Sequence, residues 1–249
     1  MAAFPPSNVF APGNVILITD QLPSPADFLL HRTLASHFKD HKNARCIILS
    51  VSESISRWKA IASRVAVNVA ALLESGSLTF LDLVPDTQPQ LGSSDPTRPA
   101  LRPIMNEIRS LLQQAGDAHA HEPVLILLDD ISVLEWIGYT VHELANFLRA
   151  LAALARKQNI LLVIRQHIVT PDAPEDLLRL LLQLCAYHID VRPLSSGRSG
   201  AVSGEISLYP GPWNGTSHAM TVPRHRAVQY RLTDAAAVYF EKGTGHAVL

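Results

Sequence analysis

The 249-residue chain contains no segment of the form G-x-x-x-x-G-K-[ST], the loop with which P-loop NTPases bind nucleotide phosphates. It has only two cysteines, Cys46 and Cys185, and both lie in apolar runs. Buried free thiols of a reducing compartment are therefore favoured over a disulfide or a nucleophile. No apolar run reaches the roughly 18 residues that span a bilayer, so we expect no membrane partner.

The sequence also lacks an excess of charge of either sign. Its 21 lysines and arginines balance 22 aspartates and glutamates, for a net charge of -1. The molecule as a whole therefore does not attract nucleic acid, and any such contact has to come from a local patch. A composition of 47% hydrophobic and 17% charged residues is typical of a folded protein with a sizeable core. Residues 1–6 have neither a basic start nor a long apolar segment, so we expect no secretory signal.

What the sequence does contain is a short apolar strand that ends in two carboxylates, Val124–Asp130. In P-loop NTPases an acidic residue at the end of such a strand helps to hold magnesium. The turn where a phosphate loop would lie, Thr19–Asp27, has neither glycine nor lysine. Its two prolines lack amide donors, and Asp27 places negative charge near a helix N-terminus. We therefore predict that this turn does not bind nucleotide.

Predicted strands and helices alternate along most of the chain. Strands are predicted at 15–20, 46–51, 77–84, 124–130, 159–165 and 186–191. Helices are predicted at 25–40, 104–114 and 141–157. Two further helices are expected, one that includes residues 58–69 and one that begins at residue 174. This alternation predicts an α/β fold with a mostly parallel sheet covered by helices on both faces. Residues 204–241 instead hold three short strands with a turn at Thr233-Asp234, which predicts an antiparallel extension at one edge. We treat 1–249 as one domain with a flexible loop at about 85–102.

Asp129 and Asp130 are better explained by a structural or interface role than by catalysis. A carboxylate at a strand end can cap the following turn or pair across an interface. Without a phosphate partner, two carboxylates bind magnesium weakly. The 11 histidines include no set of three with metal-ligand spacing, and no nucleophile lies beside a base. We therefore predict no catalytic residue, no metal and no cofactor, and a protein that is not an enzyme.

Arginines are concentrated in and beside two loops near the C-terminus. Arg192 and Arg198 belong to the serine- and glycine-rich segment around 193–204, and Arg224 and Arg226 follow the loop at about 210–223. Flexible basic loops can bind phosphates, which makes these four arginines candidate contacts to a nucleic acid. The alternative is that both loops are merely solvated.

Two tryptophans are candidate anchors of a subunit interface. Trp136 comes shortly after the carboxylate pair Asp129 and Asp130, which are candidates for the same interface, and Trp213 lies in a loop. Aromatic side chains are enriched at the centres of protein interfaces. Packing in the core is the alternative for both tryptophans and the preferred interpretation of Trp58.

The segments that carry this interpretation resemble the Elongator complex protein 6 family. Val124–Leu134 resembles a family strand that leads into an Asp-Asp-hydrophobic-Ser-hydrophobic-Leu turn. Residues 230–249 are similar to the family's ending, in which a Tyr-basic-hydrophobic strand, an aromatic pair and Lys-Gly precede Ala-Val-Leu. The order of strands and the length also fit, so the resemblance extends over nearly the whole chain.

The resemblance implies a RecA-like fold without a working phosphate-binding loop and offers no catalytic residue to carry over. It implies that the chain joins Elongator complex proteins 4 and 5 in a heterohexameric ring. In this family the ring binds tRNA and docks onto the catalytic Elongator subunits, which modify the wobble uridine (U34) of tRNA. The four arginines then become candidate tRNA contacts. The implied location is cytoplasmic, with the nucleus as an alternative.

Two other functions stay open on the sequence alone. An NTPase subunit of the same fold with a non-standard nucleotide site would bind magnesium–ATP tightly as an isolated chain. A metabolic α/β enzyme would bind a small molecule at the carboxyl ends of the strands.

Overall fold

The fold comes from a computed structural model that describes residues 4–84, 101–113, 122–170, 175–194, 197, 202–215, 220–233 and 236–242. Within these residues the strands are β1 (Val15–Asp20), β2 (Arg45–Ser50), β3 (Leu78–Asp82), β4 (Val124–Leu128), β5 (Leu161–His167), β6 (Tyr187–Arg192), β7 (Gly204–Pro210), β8 (Val228–Leu232) and β9 (Ala237–Phe240). The helices are α1 (Asp27–Asp40), α2 (Ile55–Arg64), α3 (Val69–Glu74), α4 (Leu101–Gln113), α5 (Ser132–Trp136), α6 (Val141–Lys157) and α7 (Asp176–Leu184). Short 3-10 turns span Ser7–Phe10 and Arg224–Arg226.

All of these strands belong to one sheet, in the order β3-β2-β4-β5-β1-β6-β7-β8-β9. The strands from β3 to β6 in this order pair in parallel, whereas β7, β8 and β9 pair antiparallel. This arrangement confirms the predicted fold class, a mostly parallel α/β sheet with an antiparallel extension, and it is consistent with a RecA-like fold. The assignment of 1–249 to a single domain stays a prediction.

The two faces of the sheet are covered by different helices. Along β4, Ile126 and Leu128 pack into one core with α4, α5, α6 and α7, whereas Leu125 and Leu127 pack into the other with α1, α2 and α3. All four side chains are fully buried. A parallel strand that is covered on both faces is expected to be a continuous apolar run, as this one is.

Several details differ from the sequence-based prediction. The helix expected around Trp58 is split into α2 and α3, because Ala66 adopts a left-handed backbone (φ 60°) and the Asn68 side chain caps α3 by accepting from the Ala71 amide. Helix α5 was not predicted. The loop predicted at about 85–102 falls largely at 85–100, outside the described residues, and α4 begins at Leu101. Pro174 and Asp234 also lie outside them. No helix within the described ranges is long and apolar enough to cross a membrane.

Candidate functional site: the carboxyl end of the sheet

The carboxyl ends of the neighbouring strands β4, β5 and β1 bring charged side chains together. Asp20 ends β1, Asp129 and Asp130 follow β4, and Arg165 and His167 lie near the end of β5. Ligands of open α/β sheets bind at this end, so this is where a nucleotide site would be expected. The side chains of these residues bind one another instead.

Asp20 binds the loop that joins β1 to α1. Its Oδ2 atom accepts a hydrogen bond from the Ala26 amide, just before α1, at 2.6 Å, and its Oδ1 atom lies 2.9 Å from Nδ1 of His167. This contact with Asp20 raises the pKa of His167. The first amides of a helix are the groups that bind phosphate in nucleotide sites. Here the carboxylate of Asp20 accepts the hydrogen bond that such an amide would donate to a phosphate.

Arg165 is the cation at the centre of the site. Its guanidinium forms ion pairs with Asp27 at the start of α1, with Asp130 at 3.4 Å and with Asp20 at 3.9 Å. Arg165 is only 7% exposed, so these carboxylates compensate a charge that could not otherwise be buried. Arg165 thereby ties α1 to β4 and β5.

The carboxylates after β4 are both buried, at 1% exposure for Asp129 and 4% for Asp130. Asp129 turns toward the end of β2, where it accepts hydrogen bonds from the Ser50 hydroxyl at 2.5 Å and from the Val51 amide at 2.7 Å. Burial raises the pKa of Asp129, and these hydrogen bonds oppose the rise.

Asp130 turns the opposite way, toward β5 and the start of α5. Its Oδ1 atom accepts from the Ser132 amide at 3.0 Å, and its Oδ2 atom faces Arg165. Burial raises the pKa of Asp130 to about 6, and the nearby Asp20 charge adds to the rise. Both carboxylates are thus hydrogen-bonded within the chain, and their assignment to a subunit interface stays a prediction.

The cavity next to Asp129 and Arg165 is small. A cavity of about 10 Å³ is lined by Asp27, Asp129 and Arg165 together with residues of α1 and α2. That volume is about the space of one water molecule. Among the described residues, no group of three or more His, Cys, Asp and Glu side chains is arranged to hold a metal ion.

Exposed apolar side chains surround the same end of the sheet. Trp136, at the end of α5, is 57% exposed, and its ring meets the edge of His167 at a centroid distance of 6.3 Å. Leu22, after β1, is 82% exposed, and Val169, after β5, is 58% exposed. The sequence marked Trp136 as a candidate interface residue. It did not mark Leu22 or Val169, because neither belongs to a periodic apolar pattern.

Trp213 lies at the opposite end of the sheet. Although it is 56% exposed, the guanidinium of Arg156 at the end of α6 stacks 3.8 Å from its ring centre. Its backbone is held close to Cys185, because the Trp213 amide donates a hydrogen bond to the Cys185 carbonyl at 3.3 Å. The two candidate interface tryptophans therefore do not share one surface.

The structure also separates the candidate basic residues. Arg192 ends β6 and forms an ion pair with Asp190 at 2.6 Å, which neutralises its charge locally. Arg224 and Arg226 lie in the exposed 3-10 turn before β8, and no carboxylate pairs with either within the part of the chain that is described. Arg198 lies outside the described residues.

Arg165 and His167 are the residues of this network that sequence reasoning missed. The apolar pattern predicts Arg165 only as the end of a strand. An arginine inside a buried strand requires carboxylate partners, and this requirement could have marked Arg165 in the sequence as a member of an ion pair. Which carboxylates meet it depends on the order of strands in the sheet, and the sequence does not state that order.

Comparison with known proteins gives a consistent result. The family model described as Elongation complex protein 6 matches residues 5–234. Elongator complex protein 6 of Danio rerio is 25% identical over 262 residues, covering 97% of this chain and 95% of the relative. The Xenopus tropicalis protein of that name is 26% identical, covering 89% of this chain and 88% of its own. The Homo sapiens protein is 25% identical, covering 95% and 93%.

Proposed function

Because the chain belongs to the Elongation complex protein 6 family, we propose that it is a non-catalytic subunit of the Elongator complex. In this proposal it joins Elongator complex proteins 4 and 5 in a heterohexameric RecA-like ring, which docks onto the catalytic Elongator subunits. The ring binds tRNA and supports modification of its wobble uridine. The chain itself contributes surfaces and rigidity, without a nucleotide site of its own.

The non-catalytic role rests on one observation: the charged side chains at the carboxyl end of the sheet bind one another. The amide before α1 is occupied by Asp20, and the guanidinium of Arg165 lies among three carboxylates. A nucleotide would have to break these contacts and bring its own negative charge next to Asp20 and Asp27. The cost of leaving buried charges unpaired argues against that exchange.

The exposed apolar residues at this end support the ring. Trp136, Leu22 and Val169 are more than half exposed in the isolated chain, although large apolar side chains are usually buried. A ring subunit has to bury surface against its neighbours, and aromatic residues are preferred at the centre of such contacts. Trp136 is the anchor that we assign to a neighbouring subunit.

Titration of the isolated chain with magnesium–ATP tests the non-catalytic role. We expect no binding heat at millimolar nucleotide. Binding of magnesium–ATP with a submillimolar dissociation constant that is lost in the Asp130→Asn variant would contradict the proposal. It would favour an NTPase subunit with a non-standard site. Binding of another small molecule at this end of the sheet would favour a metabolic enzyme instead.

A further inference from the structure

A large groove lies on the side of the sheet that α1 and α2 cover, away from the helix that carries Trp136. It has a volume of about 1010 Å³ and is bounded by α1, by the α2–α3 segment and by the hairpin of β8 and β9. Its apolar lining includes six half-buried side chains, Phe28, Phe38, Ile61, Val65, Leu72 and Tyr239. A volume of this size exceeds what one or two side chains of the chain itself would fill.

The floor of the groove is held in place by contacts beneath it. Phe28 stacks on the fully buried ring of Tyr230 at a centroid distance of 4.8 Å. The guanidinium of Arg32 lies 5.0 Å from the ring centre of Tyr239 and donates a hydrogen bond to the Phe4 carbonyl. The groove is therefore preformed, which lowers the entropic cost of binding.

The rim of the groove is positively charged. Lys39 on α1 and Arg64 at the end of α2 both line the groove and are exposed, and neither has an ion-pair partner among the described residues. The carboxylate among the described lining residues, Asp27, is already paired with Arg165. Two unpaired cations thus flank an apolar floor in a chain whose net charge is -1.

We propose that this groove binds an acidic segment of a protein partner that places apolar side chains between Lys39 and Arg64. The cations supply charge complementarity, and the apolar floor supplies most of the buried area. A nucleic acid fits less well, because its recognition depends on many phosphate contacts. Of the three described cations that line the groove, Arg32 is packed on Tyr239, which leaves only Lys39 and Arg64 beside a mostly apolar lining. This surface goes beyond the proposed ring role, since it needs none of the residues assigned to that role.

The test uses the full chain and a fluorescent peptide of about two heptads, with leucine at helical spacing and glutamate elsewhere. A second peptide carries lysine in place of every glutamate. We expect the glutamate peptide alone to bind, as followed by fluorescence anisotropy. The combined Lys39→Glu and Arg64→Glu variant should weaken that binding at least about tenfold and allow the lysine peptide to bind. Both positions are exposed, so the variant should melt as the parent chain does.

A matched control changes charge equally on the other face. Arg149→Glu with Lys157→Glu alters two exposed cations of α6 and should leave peptide affinity within about twofold. Equal weakening by the control would overturn the proposal, as would unchanged binding by the groove variant. An RNA oligonucleotide that competes with the peptide and weakens in the same variant would assign the groove to nucleic acid instead. The peptide assay contains no Elongator complex protein 4 or 5, so a negative result would leave the ring proposal unaffected.

Discussion

Arg165 forms ion pairs with Asp20, Asp27 and Asp130 at a position that is 7% exposed. Each buried charge in such a cluster has lost most of its hydration and needs an opposite charge close by. The consequence at the residue scale is that the arginine is structural, and its removal leaves carboxylates without compensation.

We therefore expect Arg165→Met to lower the free energy of unfolding by about 3–5 kcal/mol, measured by urea denaturation. Adding Asp130→Asn should recover part of the loss, since it removes one of the uncompensated charges. Arg149→Met is the control, because Arg149 is exposed on α6, and it should change stability by less than about 0.5 kcal/mol. A loss for Arg165→Met no larger than that of the control would contradict the assignment.

His31 makes stability depend on pH. It is buried against Trp58, and burial lowers its pKa from 6.5 to about 4. At His31 the folded state therefore binds fewer protons than the unfolded state between these values, and the contribution of His31 to stability should fall as the pH drops from about 6.5 toward 4. A shift of this size corresponds to about 3 kcal/mol. His37 and His188, whose pKa values burial also lowers, act in the same direction as His31, whereas the raised pKa values of Asp129 and Asp130 act in the opposite direction.

The His31→Phe variant isolates this contribution. Urea midpoints measured between pH 7 and pH 4 should decline less steeply in the variant than in the parent chain, whereas His142→Phe, at an exposed site on α6, should leave the slope unchanged. Identical slopes for His31→Phe and the parent would show that His31 does not titrate as its burial requires.

At the scale of elements, helix α6 depends on its first turn. The Thr140 hydroxyl accepts from the Glu143 amide at 3.2 Å, and the Glu143 carboxylate accepts from the Thr140 amide at 2.8 Å. Thr140→Ala should therefore cost about 1 kcal/mol of stability in thermal denaturation. Thr140→Ser keeps the hydroxyl and should retain most of it. An equal loss for both variants would mean that the methyl group, and not the cap, matters.

How far the sequence predicts each element depends on how local its determinants are. The bounds of α6 and β1 agree with the structure, because their patterns and caps lie within a few residues. The break between α2 and α3 was missed because it depends on one left-handed residue, Ala66, which no glycine marks. The pairing of Arg165 with Asp27 was missed for a different reason. Those residues are far apart in sequence and meet only through the order of strands in the sheet.

At the scale of the whole molecule, the family assignment made from two segments is confirmed by a match over residues 5–234. The ring, its tRNA and its location stay proposals. Among the candidate tRNA contacts, the structure distinguishes Arg224 and Arg226, which are exposed, from Arg192, whose charge Asp190 neutralises.

Arg224→Ala with Arg226→Ala should weaken tRNA binding by the assembled ring. The salt dependence of binding should also become shallower, by about one unit of slope for each phosphate that the variant no longer neutralises. Arg192→Ala is the matched control and should have a smaller effect because its guanidinium is already paired. Affinity and salt slope that stay unchanged in the double variant would remove this turn from the tRNA surface.

The most direct test of the ring proposal is the mass of the purified chain alone and after mixing with Elongator complex proteins 4 and 5. We predict a defined heterohexamer that contains the three proteins in equal numbers, and we expect Trp136→Ala to weaken this assembly. A chain that keeps its own mass in the presence of both proteins would contradict the ring proposal.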